Sequence, residues 1–220
     1  MKQFPNREDL AETLAGHVAA TLRYRLERTG SAVLALSGGT TPVLFLERLS
    51  RKPVDWAKVT VTLVDERWVD ESAPRSNASL VRRHLLQGPA TMAPFIPLHN
   101  GSATPEEGAA ALSLPLPLTV AVLGMGEDGH TASFFPAGDH LAAALDPACP
   151  AIALPMRARA APEPRITLTL PVLLAAEYLA LHIEGGAKRL VLEKALVQGA
   201  DFPISTVLAA RPGMDIYWSP

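Results

Sequence analysis

What most restricts how this chain can fold is a set of short, largely apolar runs that each stop abruptly at a polar loop. Leu118 to Leu123 runs into Gly124-Met125-Gly126-Glu127-Asp128-Gly129-His130-Thr131-Ala132-Ser133-Phe134-Phe135-Pro136. Ala32 to Leu36 runs into Ser37-Gly38-Gly39-Thr40-Thr41-Pro42, and Val59 to Val64 into Asp65-Glu66-Arg67. Runs of this length bounded by turn residues read as buried strands. Segments of helical period lie between such strands. Leu10, Leu14, Val18, Leu22 and Leu26 recur along a helix over about residues 7–28, and Gly30 stands where a C′ glycine belongs. Helices alternating with strands predict a mostly parallel sheet covered on both faces. Ligands of such open sheets bind beyond the carboxyl ends of the strands, where these polar loops fall.

The remaining elements follow from the same signals. Pro42 suits the first turn of a helix from Val43 to Leu49, and Ser76-Asn77 offers an N-cap for a helix through Leu86. Thr104-Pro105-Glu106-Glu107 matches a capping box with proline at the first helical position. Ile166 to Leu170 alternates and predicts a strand with one wet face. Tyr178 to Ile183 predicts another, followed by Glu184-Gly185-Gly186 and a helix from Ala187 to Val197. Val207-Leu208-Ala209 and Asp215 to Trp218 are expected to close the chain as short strands. Pro162-Glu163-Pro164 is the segment that looks most flexible. There is no internal repeat and no long linker, so residues 1–220 are expected to form one α/β domain.

Composition narrows the function classes. Hydrophobic residues make up 48% and charged residues 19%, a globular balance without a disorder signature. A formal charge of -2 disfavours nucleic acid as a partner but leaves room for a small anionic ligand, which needs only a local cluster of donors. Cys149 is the one cysteine, so no internal disulfide is expected and a reducing compartment fits. Met1 to Glu12 mixes charges with few apolar residues, unlike a signal peptide. The uncharged run from Gly108 to Gly126 approaches membrane-spanning length, but Pro115 and Pro117 break it. No membrane partner and a cytoplasmic location are expected.

Four strand or helix ends carry the chemistry. The glycine-rich loop delivers Asp128 and His130; an imidazole can both take and give a proton near neutrality. In Ser37-Gly38-Gly39-Thr40-Thr41, glycine amides, hydroxyls and a following helix N-terminus would cradle a phosphate. The segment has neither the lysine of a Walker loop nor the spacing of a dinucleotide fingerprint, and strand-to-helix turns of Ser and Gly are common without a ligand. Taken alone, Asp65-Glu66-Arg67 reads first as a solvated or ion-paired turn, and only second as a carboxylate and a guanidinium placed for catalysis. Arg165 before its strand and Lys188 at a helix start could be ordinary surface charges. A lysine near a helix N-terminus is unfavourable unless an anion sits between them. His17, His84, His99, His140 and His182 lack a glycine-rich setting. No His, Cys and carboxylate grouping has convincing metal-ligand spacing; Asp128 and His130 could chelate a metal, but that is the minor reading, and neither a metal nor a cofactor is expected.

These segments, in this order, resemble the 6-phosphogluconolactonase family. The resemblance spans residues 37 to 188 and rests on Ser37-Gly38-Gly39-Thr40-Thr41-Pro42, Asp65-Glu66-Arg67, Ser76-Asn77, the Gly124-to-Pro136 motif, Arg165-Ile166-Thr167 and Gly185-x-x-Lys188. It implies a three-layer α/β/α sandwich with a Rossmann-like sheet, related to glucosamine-6-phosphate deaminases. It further implies metal-independent hydrolysis of a sugar-phosphate lactone by a monomer or small homo-oligomer. On that reading His130 is the general base, with Asp65 or Asp128 orienting it and Arg67 stabilising the oxyanion. Ser37, Gly38, Gly39, Thr40, Thr41, Arg165 and Lys188 hold the phosphate. Phe134 stands where the family more often has leucine. Deaminase relatives carry Asn-Glu-Pro after the histidine loop and an aromatic residue after Asp-Glu. Here those places hold Phe134-Phe135-Pro136 and Arg67, which favours the lactonase over an amino-sugar-phosphate deaminase or isomerase. A non-catalytic sugar-phosphate sensor is the remaining alternative.

Overall fold

A computed structural model describes residues 1–220. Its chain order is β1 (Lys2–Gln3), α1 (Arg7–Thr29), β2 (Ala32–Leu36), α2 (Val43–Ser50), β3 (Val59–Leu63), β4 (Asp65–Arg67) and α3 (Asn77–His84). There follow α4 (Pro105–Ala111), β5 (Val120–Leu123), α5 (Leu141–Ala144), β6 (Ala153–Ala158) and β7 (Ala161–Leu168). The chain ends with α6 (Leu170–Leu174), β8 (Tyr178–Glu184), α7 (Gly186–Ala195), α8 (Pro203–Ala210) and β9 (Asp215–Ser219). Six strands form a parallel sheet in the order β1-β9-β8-β5-β2-β3, flanked by helices. Its central strands are buried along their whole length, which is why β2 and β5 read as uninterrupted apolar runs. No helix is long and apolar enough to cross a membrane.

Helix α1 starts where Asn6 accepts a hydrogen bond from the Asp9 amide at 2.8 Å, and it stops at Gly30, whose φ of 78° only glycine adopts without strain. Between these caps Leu10, Leu14, Val18 and Leu22 face the core, a single cluster of 56 buried apolar residues.

The chain steps from β2 to β3 on one side, then returns to place β5 on the other side of β2. The strand order therefore reverses between β2 and β5, and a crevice opens at such a switch point. Leu36 is level with Leu63 and with Val122, so these strands end together and their loops emerge side by side.

A second sheet, β4-β7-β6, was not legible in the sequence, and it corrects several expectations. Asp65-Glu66-Arg67 is not a turn: it is β4, paired antiparallel with β7 so that Arg67 stands opposite Arg165. The chain crosses from one sheet to the other at Val64, whose carbonyl accepts from the Leu168 amide at 2.9 Å. Ile166 to Leu170 has no wet face, because all five residues are buried between this sheet and the core. Pro162-Glu163-Pro164 is strand rather than flexible loop, paired within β7. Val207 to Ala209 belongs to α8, a helix started by Pro203 at its first position. Strands β1 and β6 went unrecognised, since β1 has two residues and β6 carries Pro155 and Arg157.

The small sheet meets α3 through one carboxylate. Glu66 is fully buried and accepts from the amides of Arg67 (2.7 Å), Asn77 (2.8 Å) and Ala78 (2.7 Å) and from the Ser76 hydroxyl (3.1 Å). Burial pushes its pKa up, and four donors around two oxygens demand the ionised form. Ser76 then caps the Ser79 amide, so the first amides of α3 are satisfied. Glu66→Gln would turn an amide N–H toward these donors, with an expected loss of about 1–3 kcal/mol in stability. Chemical denaturation checks this, and a stability change below the error of the measurement would contradict it.

Candidate active site

The loops after β2 and β5 are tied together at their roots. Ser37 Oγ donates to the Val122 carbonyl at 2.8 Å and accepts from the Gly124 amide at 2.9 Å. Its hydroxyl is thus spent on joining two strand ends, which removes it from the donors expected for a phosphate. Thr131 Oγ1 likewise donates to the Gly124 carbonyl at 2.7 Å, closing the base of the glycine-rich loop. Gly38 is needed for close approach, because a Cβ there would lie 1.8 Å from Asn77 Oδ1. Asn77 in turn donates to the Asp65 carbonyl at 2.9 Å and accepts from Arg67 Nη1 at 2.8 Å.

Within the glycine-rich loop, Asp128 Oδ1 lies 2.5 Å from His130 Nδ1 and also accepts from the His130 amide at 3.1 Å. The hydrogen bond from His130 holds the Asp128 carboxyl below its usual pKa, against the effect of burial. An ionised Asp128 can only accept, so Nδ1 donates and Nε2 of the neutral ring keeps its lone pair. That is the arrangement of a base with its orienting group. Asp65 does not share this role: its Oδ2 accepts from the buried Ser133 hydroxyl at 2.5 Å. The imidazole leans on Phe135 with ring centroids 4.5 Å apart.

Three cations face the same space without a carboxylate partner. Arg67 and Arg165 stand directly opposite each other on β4 and β7, an unfavourable placement for like charges. Arg67 hydrogen-bonds through Nη1 to the Arg75 carbonyl and to Asn77, and its Nε is buried without a partner. Arg165 is buried over the Phe135 ring, its guanidinium 5.5 Å from the ring centre. Burial lowers its pKa, Asp65 opposes that, and Arg67 adds to it. From the other side Lys188, in the first turn of α7, donates to Thr41 Oγ1 at 3.0 Å. Burial lowers its pKa too, offset by Glu184 and Glu127. Two arginines that repel each other, and a desolvated lysine at a helix N-terminus, would all be stabilised by an anion in the space they face.

These groups line a cavity of about 350 Å³. His130, Asp65, Arg67, Ser37, Gly38, Gly39, Thr40, Thr41, Arg165 and Lys188 are all on its wall, and Asp128 stands behind His130. Arg75, Asn77 and His182 also line it. In the sequence Asn77 carries only a helix-cap signal and a place in the family motif, and His182 has no glycine-rich setting to mark it. Only the register of β8 beside β5 brings it to the cavity.

A family described as glucosamine-6-phosphate isomerases/6-phosphogluconolactonase matches residues 5–218. The chain belongs to this family. It is 51% identical over 223 residues to the 6-phosphogluconolactonase of Mesorhizobium japonicum, covering 99% of this chain and 94% of that one. It is 49% identical over 229 residues to the 6-phosphogluconolactonase of Rhizobium meliloti, covering 100% and 98%. Among solved structures, a 6-phosphogluconolactonase from Shewanella baltica superposes with a TM-score of 0.93 at 38% identity, covering 100% of this chain and 97% of that one. The parallel sheet with its small antiparallel companion is thus the family's fold.

The dyad geometry generates a prediction at Gly126. A Cβ there would lie 2.3 Å from the His130 ring and 2.7 Å from Asp128 Oδ1. Gly126→Ala is expected to displace the imidazole and lower kcat by about 10²-fold while the fold survives. Steady-state kinetics beside circular dichroism checks it, and an unchanged kcat would show that the dyad is not the reacting pair.

Proposed function

We infer that this chain hydrolyses 6-phospho-D-glucono-1,5-lactone to 6-phospho-D-gluconate, the lactonase step of the pentose phosphate pathway. The observation that carries the reading is one cavity in which a carboxylate-backed imidazole meets three cations with no carboxylate partner. Full-length identity near one half to two lactonases supports it.

The geometry supports the following division of roles. Lys188, Thr40, Thr41 and the amides of Gly38 and Gly39 hold the phosphate from one wall, with Arg165 completing the grip from the small sheet. A remote anion gripped in this way supplies positioning energy for the reacting end. His130 Nε2 takes a proton from water as the water oxygen attacks the lactone carbonyl. Arg67, steadied by Asn77, stabilises the resulting oxyanion. The ring C–O bond then breaks, and the imidazolium returns its proton to the departing ring oxygen. Asp128 keeps Nδ1–H in place throughout and stabilises the transient imidazolium. Asp65 stays buried against Ser133 and supports the wall beside Arg67 and Arg165.

Two variants test the roles. His130→Ala is expected to lower turnover by about 10²-fold or more, with product binding retained. Initial rates must be measured on fresh lactone with spontaneous hydrolysis subtracted, and near-normal turnover in a folded variant would sink the assignment. Arg67→Lys keeps the charge but loses the planar fork of donors. Its kcat should fall much more than its KM changes, because the interaction forms mainly in the transition state. If Arg67 only pins the Arg75 loop, the variant will instead lose thermal stability and keep its turnover. Melting temperature and kinetics on one preparation separate the two.

A further inference from the structure

Whether Asp128 meets His130 depends on the single residue between them. Gly129 separates the two, so its backbone angles set whether the carboxylate reaches both the His130 amide and Nδ1. Gly129 holds a φ of 78°, in the left-handed region that glycine enters at no steric cost and leaves as freely. Within the loop its amide donates to the Gly126 carbonyl at 3.1 Å, and the Gly126 amide donates to the His130 carbonyl at 2.9 Å. The Gly129 carbonyl belongs to the peptide that leads into His130.

That carbonyl is held from outside the loop. The Ile204 amide, at the second position of α8, donates to it at 3.1 Å. Phe202, the residue just before α8, is half-buried against buried Gly129, where a Cβ would lie 2.4 Å from the ring's Cδ1 and 2.9 Å from its Cγ. The start of α8 is unusual for a helix. Helices commonly begin at Ser, Thr, Asp or Asn, whose side chain satisfies a first-turn amide. Here the N-cap position holds an apolar ring that accepts nothing, and the glycine-loop carbonyl serves Ile204 instead. The helix itself is firmly seated. Ile204 and Val207 are fully buried, and Ser205 Oγ donates to the Ala195 carbonyl at the end of α7 at 2.8 Å. At the other end Arg211 donates to the Leu174 carbonyl at 2.9 Å and to the Ala176 carbonyl at 3.1 Å.

We propose that Phe202 is a positioning residue for the hydrolysis: with the Ile204 amide it clamps Gly129 and so fixes the contact between Asp128 and His130. This rests on the reading that Asp128 and His130 are the reacting pair. Phe202 is not on the cavity wall, so it acts on the base and not on the substrate. Without the ring, Gly129 regains its rotational freedom, and the imidazole loses a fixed orientation. The groups read as holding the phosphate, Lys188 and the loop after β2, are left as they are. The cost therefore falls on turnover and not on binding.

Phe202→Ser is the informative substitution, because it removes the ring and gives α8 the N-cap acceptor it lacks. Its kcat for the lactone should fall about tenfold, while KM and the affinity for 6-phosphogluconate stay within about twofold of wild type. Phe202→Leu keeps apolar contact with Gly129 and should recover most of the loss. In an Asp128→Ala background the serine exchange should cost little further, since the contact that Phe202 protects is already gone. A merely structural role would instead lower the melting temperature and leave the kcat of the folded protein unchanged. Phe202→Ala carries the same expectations where the serine variant does not fold. An unchanged kcat, or a loss that adds in full to that of Asp128→Ala, overturns the proposal. His130→Ala is the control for the underlying reading. If it keeps turnover, the assignment of the pair itself fails. If it loses turnover while Phe202→Ser keeps it, only the role of Phe202 fails.

Discussion

The site depends on how two neighbouring parallel strands, β2 and β5, are allowed to part. Both end at the same level, and beyond that level the chain turns away on opposite sides of the switch point. Where the backbone ladder between them runs out, the Ser37 hydroxyl at the end of β2 carries it on, bonding the Val122 carbonyl and the Gly124 amide of β5 and its loop. With the roots clamped, the glycine loop can place His130, and the Ser-Gly-Gly loop can place its amides, without either drifting. A loop that positions a base to a fraction of an ångström needs such an anchor.

A second constraint is electrostatic. The small sheet sets two arginines opposite each other, Arg165 buried and Arg67 half-buried, on the wall of a cavity that Lys188 also lines, with no carboxylate paired to any of the three. Acidic groups are present but committed elsewhere. Glu66 satisfies the start of α3, Asp65 takes the Ser133 hydroxyl, and Asp128 holds His130. This division keeps the positive field available to an anion while still satisfying each buried acid. On the proposed reading, the mutual repulsion of these cations is relieved when the substrate phosphate binds among them.

The large sheet was legible in the sequence because a strand covered on both faces must be largely apolar: β2 and β5 are so throughout, β3 is broken only by Thr60 and Thr62, and β8 stays apolar up to His182 and Glu184 near its end. The small sheet was not. Asp65-Glu66-Arg67 carries three charged residues in a row and looks like a solvated turn, yet Glu66 is fully buried because amides surround it. Val207 to Ala209 is as apolar as a strand, and Pro203 at the start of α8 was the available signal that a helix begins there.

Candidate residues showed a similar split. Glycine spacing and residue type singled out His130, Asp128, Arg67, Arg165 and Lys188 before any contact was known. That information is local, since a loop after a strand can be recognised from its own few residues. Which carboxylate faces the imidazole is not local: Asp65 and Asp128 were equal candidates until the fold set Asp65 against Ser133, sixty-eight positions away in the chain. The Ser37 hydroxyl passed for a ligand donor until β5 arrived beside it, and His182, which has no glycine-rich setting in the sequence, reaches the cavity wall only through the placement of β8 beside β5. The sequence by itself determined the strand cores, the helix caps and the chemical types at the strand ends, because each depends on near neighbours along the chain. Only the tertiary structure decided which polar atoms are already satisfied and which remain free for a substrate, because hydrogen-bond partners come from segments that the chain brings together by folding.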